Sequence, residues 1–261
     1  MTSLSFYQVD AFADRPFAGN QAAIMPLDEW LPDDVMQAIA AKNNVAETAF
    51  LVASDRDDAD YDLRWFTPAV EVDLCGHATL ASAEIVLGED AVRFSTRSGI
   101  LTVERRDGLL WLDMPASRVA PVTAGGEAQA LGQPVCGIWG VTGGNGGAIV
   151  LLENETAVRA AKPDFAKVAA CSNGFIIATA PGDSVDFVSR VFCPTFGIDE
   201  DPVTGSAHCA LTPFWAERLG KSRLSAFQAS SRGGKLQCEM RGDRVLLGGQ
   251  CVRVIEGRFS L

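Results

Sequence analysis

Residues 4–12 and 20–25 have the spacing of apolar and polar positions that marks half-buried strands, and short strands of the same kind follow at 49–53, 62–67, 91–95, 100–105 and 109–114. Two segments in this half carry a helical spacing instead. Pro32 to Ala41 places its apolar residues on one stripe and opens with Pro-Asp-Asp, a helix-start signal. The run 77–87 is apolar nearly all round, and a helix with no polar face must be surrounded by protein. The run 206–219 has the same character, with Pro213 expected to kink it or tighten its first turns. Each half therefore reads as many strands enclosing one central helix, an α+β class.

The halves also share wording. Arg64-Trp65-Phe66-Thr67-Pro68, a loop, and Cys75-Gly76-His77-Ala78-Thr79 recur as Arg190-Val191-Phe192-Cys193-Pro194, a loop, and Thr204-Gly205-Ser206-Ala207-His208. Ala49 to Ala53 matches Gly174 to Ala178, and the turn at Asp107-Gly108 matches the one at Gly242-Asp243. The matches keep their order and drift slowly apart, as loop insertions in a duplicated domain would make them do. At 261 residues the chain has room for two domains of about 120. We expect one over 1–116 plus 250–261 and the other over 117–249, with the active site between them. Pro115 to Pro121 is the expected linker, since a proline at each end punctuates a run that fits no element. The last strand, Gln250 to Arg258, has no counterpart at the end of the first half and is expected to cross back into the first domain.

Composition narrows the partners. A net charge of −11 argues against nucleic acid, whose binding draws on clustered Lys and Arg. The pair Arg105-Arg106 precedes a hairpin turn and reads as solvated. A small anion remains possible, because backbone N–H groups can hold one without side-chain charge. Seven cysteines without C-x-x-C spacing read as reduced thiols of a cytoplasmic protein, and no leader of the secretory type opens the chain. The uncharged stretch 128–152 is broken by glycines and Pro134, so strands and loops are expected there and no membrane span.

Chemistry concentrates at the two Gly-helix junctions. A glycine there lets a ligand approach the backbone, and a first helical turn offers unpaired N–H groups and partial positive charge; close helix-strand packing would equally favour glycine. Glu47, just before the strand 49–53, has no acidic counterpart in the second half, which suits a single general base. It could otherwise close a capping box with Asn44, although no helix follows. A free glutamate is a weak base for a C–H bond, so a catalytic one must be made more basic by burial. Acids precede both junctions, Glu71 with Asp73 and Asp199-Glu200-Asp201, where favouring the helix dipole is the ordinary role; Asp201 also stands five residues before Ser206. His77 is a proton shuttle or the first-turn group of a buried helix. A two-thiol epimerase would need cysteine at both junctions. Cys75 fills the first and Thr204 the second, so Cys75 reads as a structural or substrate-lining thiol. Cys75, His77, His208 and Cys209 have the composition of a zinc site, but positions 208 and 209 leave their helix in different directions, so no metal is expected. Gly143 to Gly147 lacks the dinucleotide pattern, and no cofactor is implied.

Taken together, Gln8-Val-Asp-Ala-Phe12, Pro16-Phe17-Ala18-Gly19-Asn20, Asn44-Val-Ala-Glu47-Thr48-Ala-Phe50, Arg64-Trp-Phe-Thr-Pro68, Asp73-Leu-Cys-Gly-His77-Ala-Thr79 and Asp201-Pro-Val-Thr-Gly205-Ser206-Ala resemble the phenazine-biosynthesis-like (PhzF) isomerase family over nearly the whole chain. That resemblance implies a diaminopimelate epimerase-like fold, two similar domains each with a β-barrel-like sheet around a central helix. It implies an isomerase that moves a proton without a cofactor, and a homodimer, since members are often homodimers. The family's glutamate base falls on Glu47, and its assisting histidine, aspartate and serine on His77, Asp201 and Ser206. The expected catalytic set is Glu47, His77 and Asp201; the expected substrate-binding set is Asn20, Gly76, Ala78, Thr79, Gly205, Ser206 and Ala207. Gln21 and the run Gln228-Ala-Ser-Ser-Arg232-Gly-Gly depart from the phenazine enzyme at what read as loop positions that could select a substrate. The expected function is isomerisation or epimerisation of a small anionic carboxylic acid at an acidified C–H. A carboxylate-binding protein without catalysis is the alternative.

Overall fold

The computed structural model describes residues 3–88, 90–123, 125–143 and 146–261, so Gly144 and Asn145 of the glycine-rich run lie outside the described residues. The chain divides into two compact units, Met1–Asp113 with Gly248–Leu261, and Met114–Leu247.

In the first unit the order is β1 (Ser3–Ala11), β2 (Asn20–Leu27), α1 (Asp33–Asn43), β3 (Glu47–Ala53), β4 (Tyr61–Phe66), β5 (Glu71–Val72), α2 (Gly76–Val86), β6 (Ala91–Thr96), β7 (Gly99–Arg106) and β8 (Leu109–Pro115). β1 and β2 pair antiparallel after a turn that requires Gly19: its φ is +64°, and a Cβ there would lie 2.1 Å from the Ala11 carbonyl oxygen. β2 runs parallel to β3, β3 antiparallel to β4, and β4 antiparallel to β5 and parallel to β6. β6, β7 and β8 form an antiparallel meander. The sequence of α2 explains its place, for Gly76 through Ala83 are all buried and the helix packs on β1, β2, β3 and β7. α1 buries one stripe only, Met36, Ile39 and Ala40, which joins Met25, Phe50 and Phe66 in a core cluster. It ends at Asn44, whose left-handed φ of 51° lets its N–H donate to the Ala40 carbonyl. Asn44 is thus a helix C-cap, and the capping-box alternative for Glu47 is gone.

The second unit repeats this order of pairings with β9 (Arg118–Pro121), α3 (Glu127–Leu131), β10 (Gly137–Thr142), β11 (Ala148–Leu151), α4 (Glu155–Ala160), α5 (Phe165–Ala170), β12 (Ile176–Pro181), β13 (Phe187–Cys193), β14 (Ile198–Asp201), α6 (Gly205–Leu219), β15 (Arg223–Gln228), β16 (Gly234–Arg241) and β17 (Arg244–Gly249). β10 is antiparallel to β11, β11 parallel to β12, β12 antiparallel to β13, and β13 antiparallel to β14 and parallel to β15. The last strand, β18 (Cys251–Ser260), pairs antiparallel with β1 in the first unit. Among the described residues no helix is long and apolar enough to cross a membrane.

Two readings of the sequence need correction, and the carbonyl released by the proline of α6 gains a partner. The expected linker is largely a strand: β9 pairs antiparallel with β10, Trp139 opposite Pro121. This also supplies the counterpart that the last strand lacked, since β9 stands beside β10 as β18 stands beside β1. Pro213 lies inside α6, which runs unbroken from Gly205 to Leu219. A proline leaves the carbonyl four residues earlier without its helical donor, and here Ser117 N–H donates to that oxygen of Cys209 at 3.0 Å. Finally, Glu71 and Glu200 do more than favour a helix dipole. Each accepts a bidentate pair of bonds from an arginine, Arg64 at 2.7 and 2.8 Å and Arg190 at 2.8 and 2.8 Å, and each guanidinium also covers a phenylalanine, Phe66 or Phe192.

Candidate active site

Four positions of the first unit converge at the start of α2. Glu47 is the first residue of β3, Asn20 the first of β2, Cys75 the N-cap of α2 and His77 its second residue. The parallel register that sets Ala22 opposite Glu47 holds the two strand starts together. His77 Nε2 lies 3.0 Å from Glu47 Oε2, while Nδ1 lies 3.3 Å from Asn20 Nδ2 and 3.6 Å from Cys75 Sγ. The contact with Glu47 is at salt-bridge distance, and neither atom has another hydrogen-bond partner. Burial disfavours a charged His77. Cys75 would favour it only as a thiolate, and burial followed by the charge of Glu47 pushes that thiol up. The Glu47 carboxylate is therefore what raises the imidazole above the ordinary histidine value.

Glu47, Cys75 and His77 also form a set of metal-capable side chains, each with a ligand atom within 4.8 Å of the others. The donor types suit zinc. Cys75 lies nearest Nδ1 and Glu47 nearest Nε2, so the two neighbours approach different nitrogens of the ring.

In the second unit the corresponding group surrounds the start of α6. Asp201 ends β14, Thr204 is the N-cap, and Gly205, Ser206 and Ala207 form the first turn. Thr204 Oγ1 donates to Asp201 Oδ2 at 2.6 Å. Gln228, fully buried at the end of β15, accepts from Thr204 N–H at 2.9 Å and donates through Nε2 to the Asp201 carbonyl at 2.7 Å and to Thr204 Oγ1 at 3.2 Å. His208 is also fully buried. Its Nδ1–H donates to the Thr204 carbonyl at 2.8 Å, and burial pushes its pKa down to about 4, so it is neutral.

Of the expected binding residues, Gly76, Ala78, Gly205 and Ala207 are buried in first turns, whose leading N–H groups have no acceptor within a helix. Thr79 directs both its donors inward, N–H at 3.3 Å and Oγ1 at 2.5 Å, to the Cys75 carbonyl. Neither Gln21 nor Gln228 is on a loop. Gln21 lies in β2 and accepts from Gln8 Nε2 at 3.3 Å, and Gln228 is the inward end of Leu224-Ser-Ala226-Phe-Gln228. That alternation, with Leu224, Ala226 and Gln228 all buried, was the signal that could have identified it.

The model of the "Phenazine biosynthesis-like protein" family matches residues 9–257. An uncharacterized isomerase of Pseudomonas aeruginosa is 50% identical over 265 residues, covering 99% of each chain. A crystal structure of a PhzF-family phenazine biosynthesis protein from Enterococcus faecalis superposes with a TM-score of 0.91 at 42% identity, covering 100% of both chains. A hydroxyproline epimerase from Agrobacterium vitis, solved with bound trans-4-hydroxy-L-proline, matches with a TM-score of 0.60 at 12% identity over 98% of this chain and 92% of its own, a likeness of fold alone.

Proposed function

The chain belongs to the phenazine biosynthesis-like family of isomerases, and from that premise we propose that it moves a proton at the acidified C–H of a small carboxylic acid without a cofactor, with Glu47 as general base. His77 holds and relays the proton beside Glu47, and Asp201 returns it. The first-turn N–H groups of Gly76 to Ala78 and of Gly205 to Ala207, with Asn20 and Ser206, bind the carboxylate. Thr79, whose donors are engaged within its helix, is left out of that set. We further propose that the two units arose by duplication and that the protein is a homodimer.

The observation that supports this reading is the Glu47–His77 pair. The imidazole and the carboxylate stand 3.0 Å apart, neither atom has another hydrogen-bond partner, and the carboxylate raises the imidazole above its ordinary value. A titratable pair perturbed by a specific charge partner and held by little else is what proton transfer to and from a substrate requires.

Incubation in D₂O with a panel of amino, hydroxy and cyclic carboxylic acids, followed by mass spectrometry, tests the reading. Deuterium uptake by one compound is expected, reduced at least about 10²-fold in Glu47→Gln. Undiminished uptake in that variant would remove Glu47 from the mechanism. Calorimetric binding of an acid with no exchange would leave a carboxylate-binding protein.

A further inference from the structure

We propose that Gln228 and Thr204 are positioning residues that fix which oxygen of Asp201 carries its proton, an inference that rests on the reading of Asp201 as the acid that returns it. The argument begins with the Gln228 amide. Its oxygen lies 2.9 Å from Thr204 N–H, which can only donate, and its nitrogen lies 2.7 Å from the Asp201 carbonyl, which can only accept. Only one orientation of the amide satisfies both, so Nε2 is a donor at this place. The same nitrogen is 3.2 Å from Thr204 Oγ1 and donates to it. A hydroxyl that receives a bond there turns its own proton elsewhere, and the acceptor at 2.6 Å is Asp201 Oδ2.

The chain of bonds thus has one polarity, from Gln228 Nε2–H to Thr204 O–H to Asp201 Oδ2. Oδ2 of the ionised Asp201 is an acceptor, and a proton then added to the carboxyl group goes to Oδ1, because placing it on Oδ2 would make the Thr204 hydroxyl give up the bond it donates. The polarity is anchored at both ends of the loop, because Gln228 holds the backbone on either side of Pro202-Val203 and Ser230 Oγ donates to the Pro202 carbonyl at 2.8 Å. A carboxyl group with one titrating oxygen delivers its proton from one direction, which is what a stereospecific return requires. Among the described residues the first unit shows no such device: its N-cap is Cys75, whose sulfur faces the His77 ring.

NMR of the intact protein labelled with ¹³C at aspartate carboxyl carbons tests this directly. The Asp201 signal is assigned by its loss in Asp201→Asn and followed across pH. Thr204→Val removes the donated bond and is expected to strengthen the hold of Asp201 on a proton about tenfold, with Thr204→Ser restoring the original behaviour. Gln228→Met, which frees the hydroxyl to turn, is expected to shift the titration in the same direction by a smaller factor. It decides the matter if Thr204→Val does not fold. An unchanged titration in whichever of these variants folds would overturn the proposal. Deuterium exchange by Asp201→Asn is read separately: undiminished exchange would remove Asp201 from the chemistry, whereas lost exchange beside unshifted titrations would remove the lock alone.

Discussion

The starts of α2 and α6 are built alike and behave differently. In both, the N-cap side chain makes no capping bond, a glycine follows, and the fourth helical residue turns its N–H and its side chain onto the N-cap carbonyl. In α2 that fourth residue is Thr79; in α6 it is His208. The matching of the two halves pairs His77 with Ser206 and Thr79 with His208, so the two histidines are not counterparts. His208 has taken over the backbone-bonding task of a threonine, and burial keeps it neutral with a pKa of about 4. His77 stands beside Glu47 and is held above the ordinary value. A shared backbone frame therefore says where a side chain will sit, while its neighbours decide whether it titrates.

The sharpest way to break this comparison is to remove each ring. His77→Gln should lower proton exchange at least about 10²-fold in a folded protein, the lower end for a proton-transfer group. His208→Gln should lose stability and keep its exchange rate per folded molecule. Equal losses of rate in the two variants would show that the histidines share a role.

Stability against pH separates them by sign. His208 is depressed in the fold from an ordinary value of 6.5 to about 4, so the unfolded chain binds a proton that the folded one refuses. Its contribution is full above pH 6.5 and is lost as pH falls toward 4, about 3 kcal/mol in all. His77 is raised, so its contribution is full below 6.5 and is lost as pH rises through its folded value. Denaturant unfolding between pH 4 and 6.5 should show a slope that His208→Gln flattens and His77→Gln leaves nearly unchanged, the loss due to His77 appearing only above pH 6.5. A slope indifferent to His208 would mean that its ring is not buried neutral in solution.

Much of this frame was legible because it follows from local pattern. The all-apolar run at 77–87 became α2, and the stripe at 32–41 became α1, within two residues at each end. What could not be read was what depends on a partner distant in sequence. Arg64 and Arg190 were visible as a repeated word, but the clamps they make with Glu71 and Glu200 exist only once β4 meets β5 and β13 meets β14. β9 was read as a linker because its four residues, three of them exposed, lie in a run with a proline at each end and carry no periodicity; pairing with β10 makes it a strand. Gln228 was misplaced in a loop because a buried polar residue interrupts the apolar alternation that locates a strand. At the candidate site, residue types pointed to Glu47 and His77, while the bonds from Gln228 through Thr204 to Asp201 needed coordinates.

The smallest effect probes a place where the units differ without any chemistry. α6 contains Pro213 and α2 has no proline, so only α6 has an interior carbonyl released from its helix, and Ser117 N–H, just before β9, occupies it. Pro213→Ala would restore a helical N–H aimed at Cys209. A carbonyl oxygen has two lone pairs, so both donors can be accommodated, but each then binds more weakly. The expected cost to the Ser117 bond is about 1 kcal/mol or less, seen as amide exchange at Ser117 up to about fivefold faster with little change in overall stability. Unaltered exchange at Ser117 would mean that β9 is held by its pairing with β10 alone, and that the proline has no part in docking the strand that joins the two halves of the sequence.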